Sequence, residues 1–199
     1  ILKAQEPQET TVGTPGDVRR LNLELKLIAD VGLIGGPNAG KSSLLARIST
    51  ARPKVAPYPF TTRYPVLGVV RVDARRSFVA CDIPGLIEGA HAGKGLGIEF
   101  LRHIERTRLL VHIVDMAAVD GRHPLEAFRH VNHELQAYSP LLSAKPQLIV
   151  ANKMDLPEAS EHVKAFERSA GERVWPISCA TGEGIGGLLR AVWEALGHE

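Results

Sequence analysis

No apolar run in the sequence approaches the roughly 18 residues that a membrane-spanning helix requires, because glycine, proline or charge interrupts every hydrophobic stretch. No signal-peptide pattern is present. Cysteine is scarce. Cys81 and Cys179 lie far apart without metal-ligand spacing, which argues against a disulfide framework and predicts two reduced, packed thiols in a reducing compartment such as the cytoplasm. The eight histidines form no cluster of the H-E-x-x-H kind, so zinc is not expected. Net charge is only +2 and basic residues are spread along the chain, so charge singles out neither nucleic acid nor an anionic membrane as a partner.

What is present suits one globular domain: 199 residues, 44% of them hydrophobic, enough to fill a core. Residues 1–20 are polar, carry Pro7, Gly13, Pro15 and Gly16, and show no helical period; they read as a linker leading into a domain spanning 21–199. From there short β-rich runs ("IADVGLI", "VLGVVRV", "SFVACDI", "LLVHIVD", "QLIVAN", "RVWPIS") alternate with helix-length segments beginning near Lys41, Gly97, Pro124, Glu158 and Gly184. Such alternation predicts an α/β domain with a mostly parallel, six-stranded sheet and helices on both faces. Only "DARR" separates the second and third runs, so one antiparallel hairpin strand is expected near an edge. Ligands of open sheets bind at the carboxyl ends of the strands, which directs attention to the loops there.

The first such loop is Gly35-Gly36-Pro37-Asn38-Ala39-Gly40-Lys41-Ser42-Ser43, a G-x-x-x-x-G-K-S pattern between a strand and a helix. Glycines let backbone N–H groups curl around a phosphate, and the following helix directs its positive dipole end at the same anion. Lys41 is suited to the β and γ phosphates, and the Ser42 hydroxyl to Mg²⁺. The base is read elsewhere, by "NKMD". A carboxylate at Asp155 can accept from adjacent N1–H and N2–H₂ groups, which guanine offers and adenine does not; facing adenine it would go unpaired. Guanine is therefore expected, with Asn152 tying this loop to the phosphate loop, the Lys153 stem covering one ring face and Met154 within the motif. In "ISCATGEG", the backbone N–H groups of Ser178, Cys179 and Ala180 are candidates for guanine O6.

Sensors of the γ-phosphate are sought in two further places. Asp82-Ile83-Pro84-Gly85 follows a strand: Asp82 can hold a Mg²⁺-bound water and the Gly85 N–H can meet the γ-phosphate, a D-x-x-G arrangement resembling the second switch of GTPases. Five glycines between residues 85 and 97 suggest a segment that a ligand would order. Upstream, "PFTTRYP" offers Phe60, Thr61, Thr62, Arg63 and Tyr64, with Thr62 as the residue that reaches Mg²⁺ when γ-phosphate is bound. Two isolated threonines beside a strand are more often plain β-formers than ligands, a preference that the surrounding motifs reverse. In "FLRHIERTR", Arg102, His103, Arg106 and Arg108 read as a solvated helix face partnered by Glu99 and Glu105, with contact to RNA as the alternative.

Five motifs in this order look like a translation-factor-related GTPase, a three-layer P-loop NTPase of the Ras-like G-domain type. The segments "LNLELKLIADVGLIGGPNAGKSSLL", "ARPKVAPYPFTTRYPVLGVV", "DIPGLIEGAHAGKGLGIEFLRHIERTRLLVHIVD" and "VANKMDLPEA" closely resemble the Obg family over residues of about 16 to 196. The resemblance implies a Mg²⁺-dependent GTPase switching between GTP and GDP states in assembly of the large ribosomal subunit, linked in bacteria to guanosine tetraphosphate and stress signalling. It implies a G domain taken from a longer protein whose glycine-rich N-terminal domain contributes to ribosome contact, and a monomer is expected. Catalytic roles then fall to Lys41, Thr62, Gly85 and Asn38. Leu86 stands where Ras-like GTPases place the glutamine that orients water, so intrinsic hydrolysis should be slow. Some GTPases lacking that glutamine use K⁺ held partly by a phosphate-loop asparagine, and Asn38 occupies that position; a turn-stabilising role is the alternative. Two other classes stay in view: a nucleotide-controlled binding module that a partner completes, and a small-molecule phosphotransferase, against which the Asp82 and Asp155 motifs argue.

Overall fold

The computed structural model describes residues 29–55, 65–83 and 107–197, with Gly13, Gly16 and Glu105 singly beside them. The chain runs β1 (Val31–Gly35), α1 (Lys41–Ile48), β2 (Lys54–Val55), β3 (Val66–Arg71), β4 (Ser77–Asp82), β5 (Leu109–Asp115), α2 (Pro124–Tyr138), α3 (Pro140–Ser143), β6 (Gln147–Asn152), α4 (Ala159–Ala170), β7 (Val174–Pro176) and α5 (Ile185–Ala195). One sheet takes the order β2-β3-β4-β1-β5-β6-β7. Neighbouring strands from β4 through β7 pair in parallel, while β3 is antiparallel to both β2 and β4. The six expected strands are present. The seventh, β2, is two residues with both side chains exposed, too short to show a period of its own.

Alternation along the strands separates two apolar layers. Leu109, Val111 and Ile113 of β5 join a cluster with Leu44 and Leu45 of α1 and Leu188 and Val192 of α5. Leu110 faces the other way, with Ile34, Val131 and Leu135 of α2, and Val114 packs in a third cluster with Phe166 of α4. Because the side-chain period of a strand is 2, one run of seven residues supplies both layers, and helices on each face cover what would otherwise meet water. The five residues of β1 are all buried, as expected for a central parallel strand.

Helix boundaries follow local chemistry. Pro124 opens α2 at its first turn, where its missing N–H costs nothing, and the His123 ring caps it by accepting from Leu125 N. Gly171 ends α4 in the left-handed region with φ 66. The α3 turn, capped by Ser139, is four residues long and gave no periodic signal. Both cysteines are free thiols: Cys81 is buried and Cys179 half-buried. Burial, then the charge of Asp82, pushes the Cys81 thiol up to about 12. Trp175 and Trp193 are partly buried against the first cluster. Among the described residues no helix is long and apolar enough to cross a membrane.

The expected helix near Gly97 lies outside the described residues. Of "FLRHIERTR", the structure describes Glu105, Thr107 and Arg108. Glu105 accepts from Ser139 Oγ at 2.6 Å, and Arg108 donates to the Leu196 carbonyl just past α5.

Candidate functional site

Parallel pairing sets the carboxyl ends of β1, β4, β5 and β6 along one rim, and the motif loops leave from that rim. Gly35 ends β1 with φ +148, where a Cβ would stand 2.3 Å from the Ile113 carbonyl oxygen. Only glycine lets the chain turn this close to β5. The loop then rises through Asn38, in the left-handed region at φ 55, and re-enters α1 at Gly40. Asparagine tolerates that backbone better than most residues. Lys41 folds back over the loop, donating from Nζ to the carbonyls of Gly35 at 2.8 Å and Gly36 at 2.9 Å. Its ammonium is thereby held on the loop, while Ser43, two residues further along α1, is exposed.

Ser42 and Asp82, 40 residues apart, meet: Ser42 Oγ donates to Asp82 Oδ2 at 2.6 Å. The other carboxylate oxygen, Asp82 Oδ1, is buried with no hydrogen-bond partner among the described residues. A buried carboxylate oxygen left unpaired is costly, and a hydroxyl beside a carboxylate is the oxygen donor set that hard divalent cations take. The residues present therefore fit Mg²⁺. Ile83 sends its side chain into the second apolar cluster, so only its main chain can face this rim.

The second group of residues is held by Asn152, 2% exposed at the end of β6. Its Nδ2 donates to the Ala39 carbonyl at 2.8 Å, and its Oδ1 accepts from Cys179 N at 3.1 Å. One amide thus connects the phosphate loop, its own motif and the "SCA" segment. Asp155 Oδ1 accepts from the fully buried Ser178 Oγ at 2.6 Å, and that hydroxyl in turn accepts from Thr181 N at 3.0 Å. A carboxylate offers about four lone-pair positions, so Asp155 retains capacity for two further donors. Met154 N donates to the Ile177 carbonyl, and the Met154 side chain packs into the third cluster. Asn38, Gly40, Ser43, Asn152, Lys153, Asp155, Cys179 and Ala180 line one cleft of about 300 Å³. Burial holds the Cys179 thiol above its ordinary value, opposed by the charge of Arg47.

Two residues of this region were not singled out from the sequence. Asp115 ends β5 and accepts from Lys153 Nζ at 2.7 Å, as well as from Ala117 N and Val119 N. It anchors Lys153, whose backbone is left-handed at φ 66, along the wall of the cleft. The available signal was an acidic residue at the carboxyl end of a central strand. Arg47, on α1, reaches across to the carbonyls of Cys179 and Ala180; an arginine on an exposed helix face gives no such signal. Phe60, Thr61, Thr62, Arg63, Tyr64, Pro84, Gly85 and Leu86 lie outside the described residues.

Residues 30–153 match the family model described as "50S ribosome-binding GTPase". The chain is 56% identical over 195 residues to GTPase Obg of Roseiflexus castenholzii, a match covering 96% of this chain and 44% of that protein. It is 53% identical over 194 residues to GTPase Obg of Shouchella clausii, covering 96% and 45% respectively. The chain thus spans a little under half the length of these relatives. Among solved structures, the G domain of the T. maritima FeoB iron transporter matches with TM-score 0.60 at 22% identity, over 83% of this chain and 96% of that one. Aquifex aeolicus Era bound to GDP and AlF4⁻ matches with TM-score 0.61 at 22% identity, over 88% and 58%. At that identity the likeness extends to the fold.

Proposed function

This chain belongs to the 50S ribosome-binding GTPase family and, within it, to the Obg GTPases, and from that premise we propose that it binds GTP with Mg²⁺ and slowly hydrolyses it to GDP and phosphate. The observation that carries the reading is the junction at Asn152, where one buried side chain bonds the Ala39 carbonyl of the phosphate loop and the Cys179 N–H of the "SCA" segment. That junction unites two half-sites: backbone amides and Lys41 for the phosphates, Asp155 for the guanine N1–H and N2–H₂.

In this reading the amides of residues 36 to 43 surround the β-phosphate, and Lys41 exchanges its loop carbonyls for β and γ oxygens. Ser42, Thr62 and Asp82 would hold Mg²⁺, Asp82 through a water, and the ion supplies neutralisation of the triphosphate charge. The Gly85 N–H would meet the γ-phosphate. Phe60, Arg63, Tyr64 and Pro84 neighbour those sensors in sequence and would complete the nucleotide contacts, and the Lys153 stem would cover a face of the purine. With Leu86 in place of a water-orienting glutamine, no side chain serves as general base, so catalysis rests on charge stabilisation. Asn38, which lines the cleft, would help hold K⁺ near the β and γ phosphates, adding positive charge where it develops in the transition state. Turnover should then be faster in KCl than in NaCl, and equal rates would remove K⁺ from the mechanism.

The working role is a switch in large-subunit assembly in the cytoplasm, with guanosine tetraphosphate as a further ligand and the ribosome met through the longer protein. The decisive experiment compares GDP, GTP and ATP binding in Mg²⁺ buffer, then single-turnover GTP hydrolysis with and without large ribosomal subunits. Guanine-selective binding with slow hydrolysis is expected. Preference for ATP would overturn the reading, whereas turnover visible only with subunits would make the chain a partner-completed switch. Asp155→Asn should weaken GTP at least about tenfold and favour xanthosine triphosphate, since the amide donor then faces the guanine N2 amino group, which xanthine replaces with an accepting carbonyl; unchanged GTP affinity would remove Asp155 from base recognition.

A further inference from the structure

We infer that Arg47 is a specificity-determining positioning residue, a clamp on the outer side of the segment that reads guanine O6. Its Nε donates to the Cys179 carbonyl at 2.6 Å and its Nη2 to the Ala180 carbonyl at 2.5 Å. These are consecutive carbonyls, gripped by the planar fork of one guanidinium across 132 residues of sequence. A peptide unit is planar and trans, so its C=O and N–H point in opposite directions. Holding the Cys179 carbonyl toward α1 therefore turns the Ala180 N–H the other way, and no acceptor meets that N–H among the described residues. Hydrogen bonding at the carbonyl also polarises the same peptide and strengthens its N–H as a donor.

Among the described residues, the segment's other hydrogen bonds close its own turn, between Ser178 and Glu183 and between Gly182 and Ser178, or come from its inner edge. Asn152 and Ser178 hold its inner edge, through Cys179 N and Thr181 N. Beyond Ala180 the chain turns through Gly182 at φ +94, where a Cβ would stand 2.9 Å from Arg47 Nη1. The glycine both permits the left-handed turn and leaves room for the guanidinium. Arg47 sits in the last turn of α1, the helix whose first residues are Lys41 and Ser42. The helix that opens at the phosphates thus also sets the donor for the base.

This inference rests on the guanine reading above, and the test separates the two. GDP, inosine diphosphate and 6-thioguanosine diphosphate are titrated calorimetrically against wild type, Arg47→Ala and Arg47→Lys. Inosine lacks the N2 amino group, so its penalty reports Asp155; the thio base keeps the N1–H and N2–H₂ donors but replaces O6 with a weak acceptor. Wild type should prefer GDP over both analogues. In Arg47→Ala the preference over the thio base should shrink by about fivefold or more while the preference over inosine stays within about twofold. Arg47→Lys, which has charge without the fork, should restore part of the loss. An unchanged thio penalty, or equal weakening of all three ligands, would overturn the role of Arg47. Indifference of the wild type itself to O6 would overturn the O6 contact first and this inference with it.

Discussion

His112 stands in the middle of β5 with its ring fully buried, 4.7 Å from the Phe128 ring and 3.3 Å from Gln147 Oε1. Its Nε2 has no hydrogen-bond partner among the described residues, and it borders a cavity of about 20 Å³ behind Gly36 and Pro37, about the space of one water. Burial above all lowers its pKa to about 4, opposed by the hydrogen bond with Gln147 and assisted to a lesser extent by the Lys41 charge. The folded protein therefore keeps His112 neutral where the unfolded chain, near 6.5, already takes a proton. Stability from this group is complete above about pH 6.5 and is lost as pH falls toward 4, by at most about 1.4 kcal/mol per pH unit. Urea unfolding from pH 7.5 to 5 should show this slope in wild type and a shallower one in His112→Phe. Parallel slopes would mean that the histidine is protonated in the native state. A titratable group on an alternating strand was visible in the sequence, but its isolation depended on neighbours from α2 and β6.

At the scale of elements, the strand-to-helix connections carry the chemistry, and glycine positions show how tightly they are built. Gly40 combines φ +105 with a would-be Cβ only 2.2 Å from Asn152 Nδ2. Gly40→Ala should displace the amide from the Ala39 carbonyl, leaving buried polar groups unpaired at about 1–3 kcal/mol each. GDP affinity and the urea midpoint should both fall in this variant and in Asn152→Ala. At Gly36 an added Cβ meets no protein atom, so Gly36→Ala should change the unfolding free energy from urea titration by less than about 0.5 kcal/mol. Similar destabilisation of the two glycine variants would show that backbone entropy, rather than the Asn152 contact, governs the loop. The strand runs, the α1 and α2 starts and the hairpin at "DARR" were all legible, because period, proline and turn residues act locally. Asp73 illustrates this in the hairpin turn, accepting from the N–H groups of Arg75 and Arg76. The two-residue β2 and four-residue α3 were not legible: each depends on a neighbour, β3 or the Ser139 cap, rather than on a pattern within itself.

For the whole molecule, the site bridges β1, β4, β6 and the turn after β7, so a ligand that fills it couples most of the sheet. Anything that binds only the folded state stabilises it by mass action, about 2.7 kcal/mol at a ligand concentration 100 times Kd. For a chain of this size that amounts to a rise in Tm of roughly 5–10 °C. GDP with Mg²⁺ should produce such a rise in scanning calorimetry and ATP should not. Removing Mg²⁺ should reduce the shift given by a non-hydrolysable GTP analogue, because Ser42 and Asp82 then meet the triphosphate without the ion.

The order of motifs, the sheet class and the candidate phosphate and base residues could be read directly from the chain, since each depends on spacing within about ten residues and on what glycine, lysine or carboxylate can do there. The joining of those residues could not. Ser42 with Asp82, Asn152 with Ala39 and Cys179, Lys153 with Asp115, and Arg47 with the "SCA" carbonyls are contacts across 27 to 133 residues. They exist because parallel pairing brings distant strand ends to one rim, where hydrogen-bond geometry, which no linear pattern contains, selects the partners.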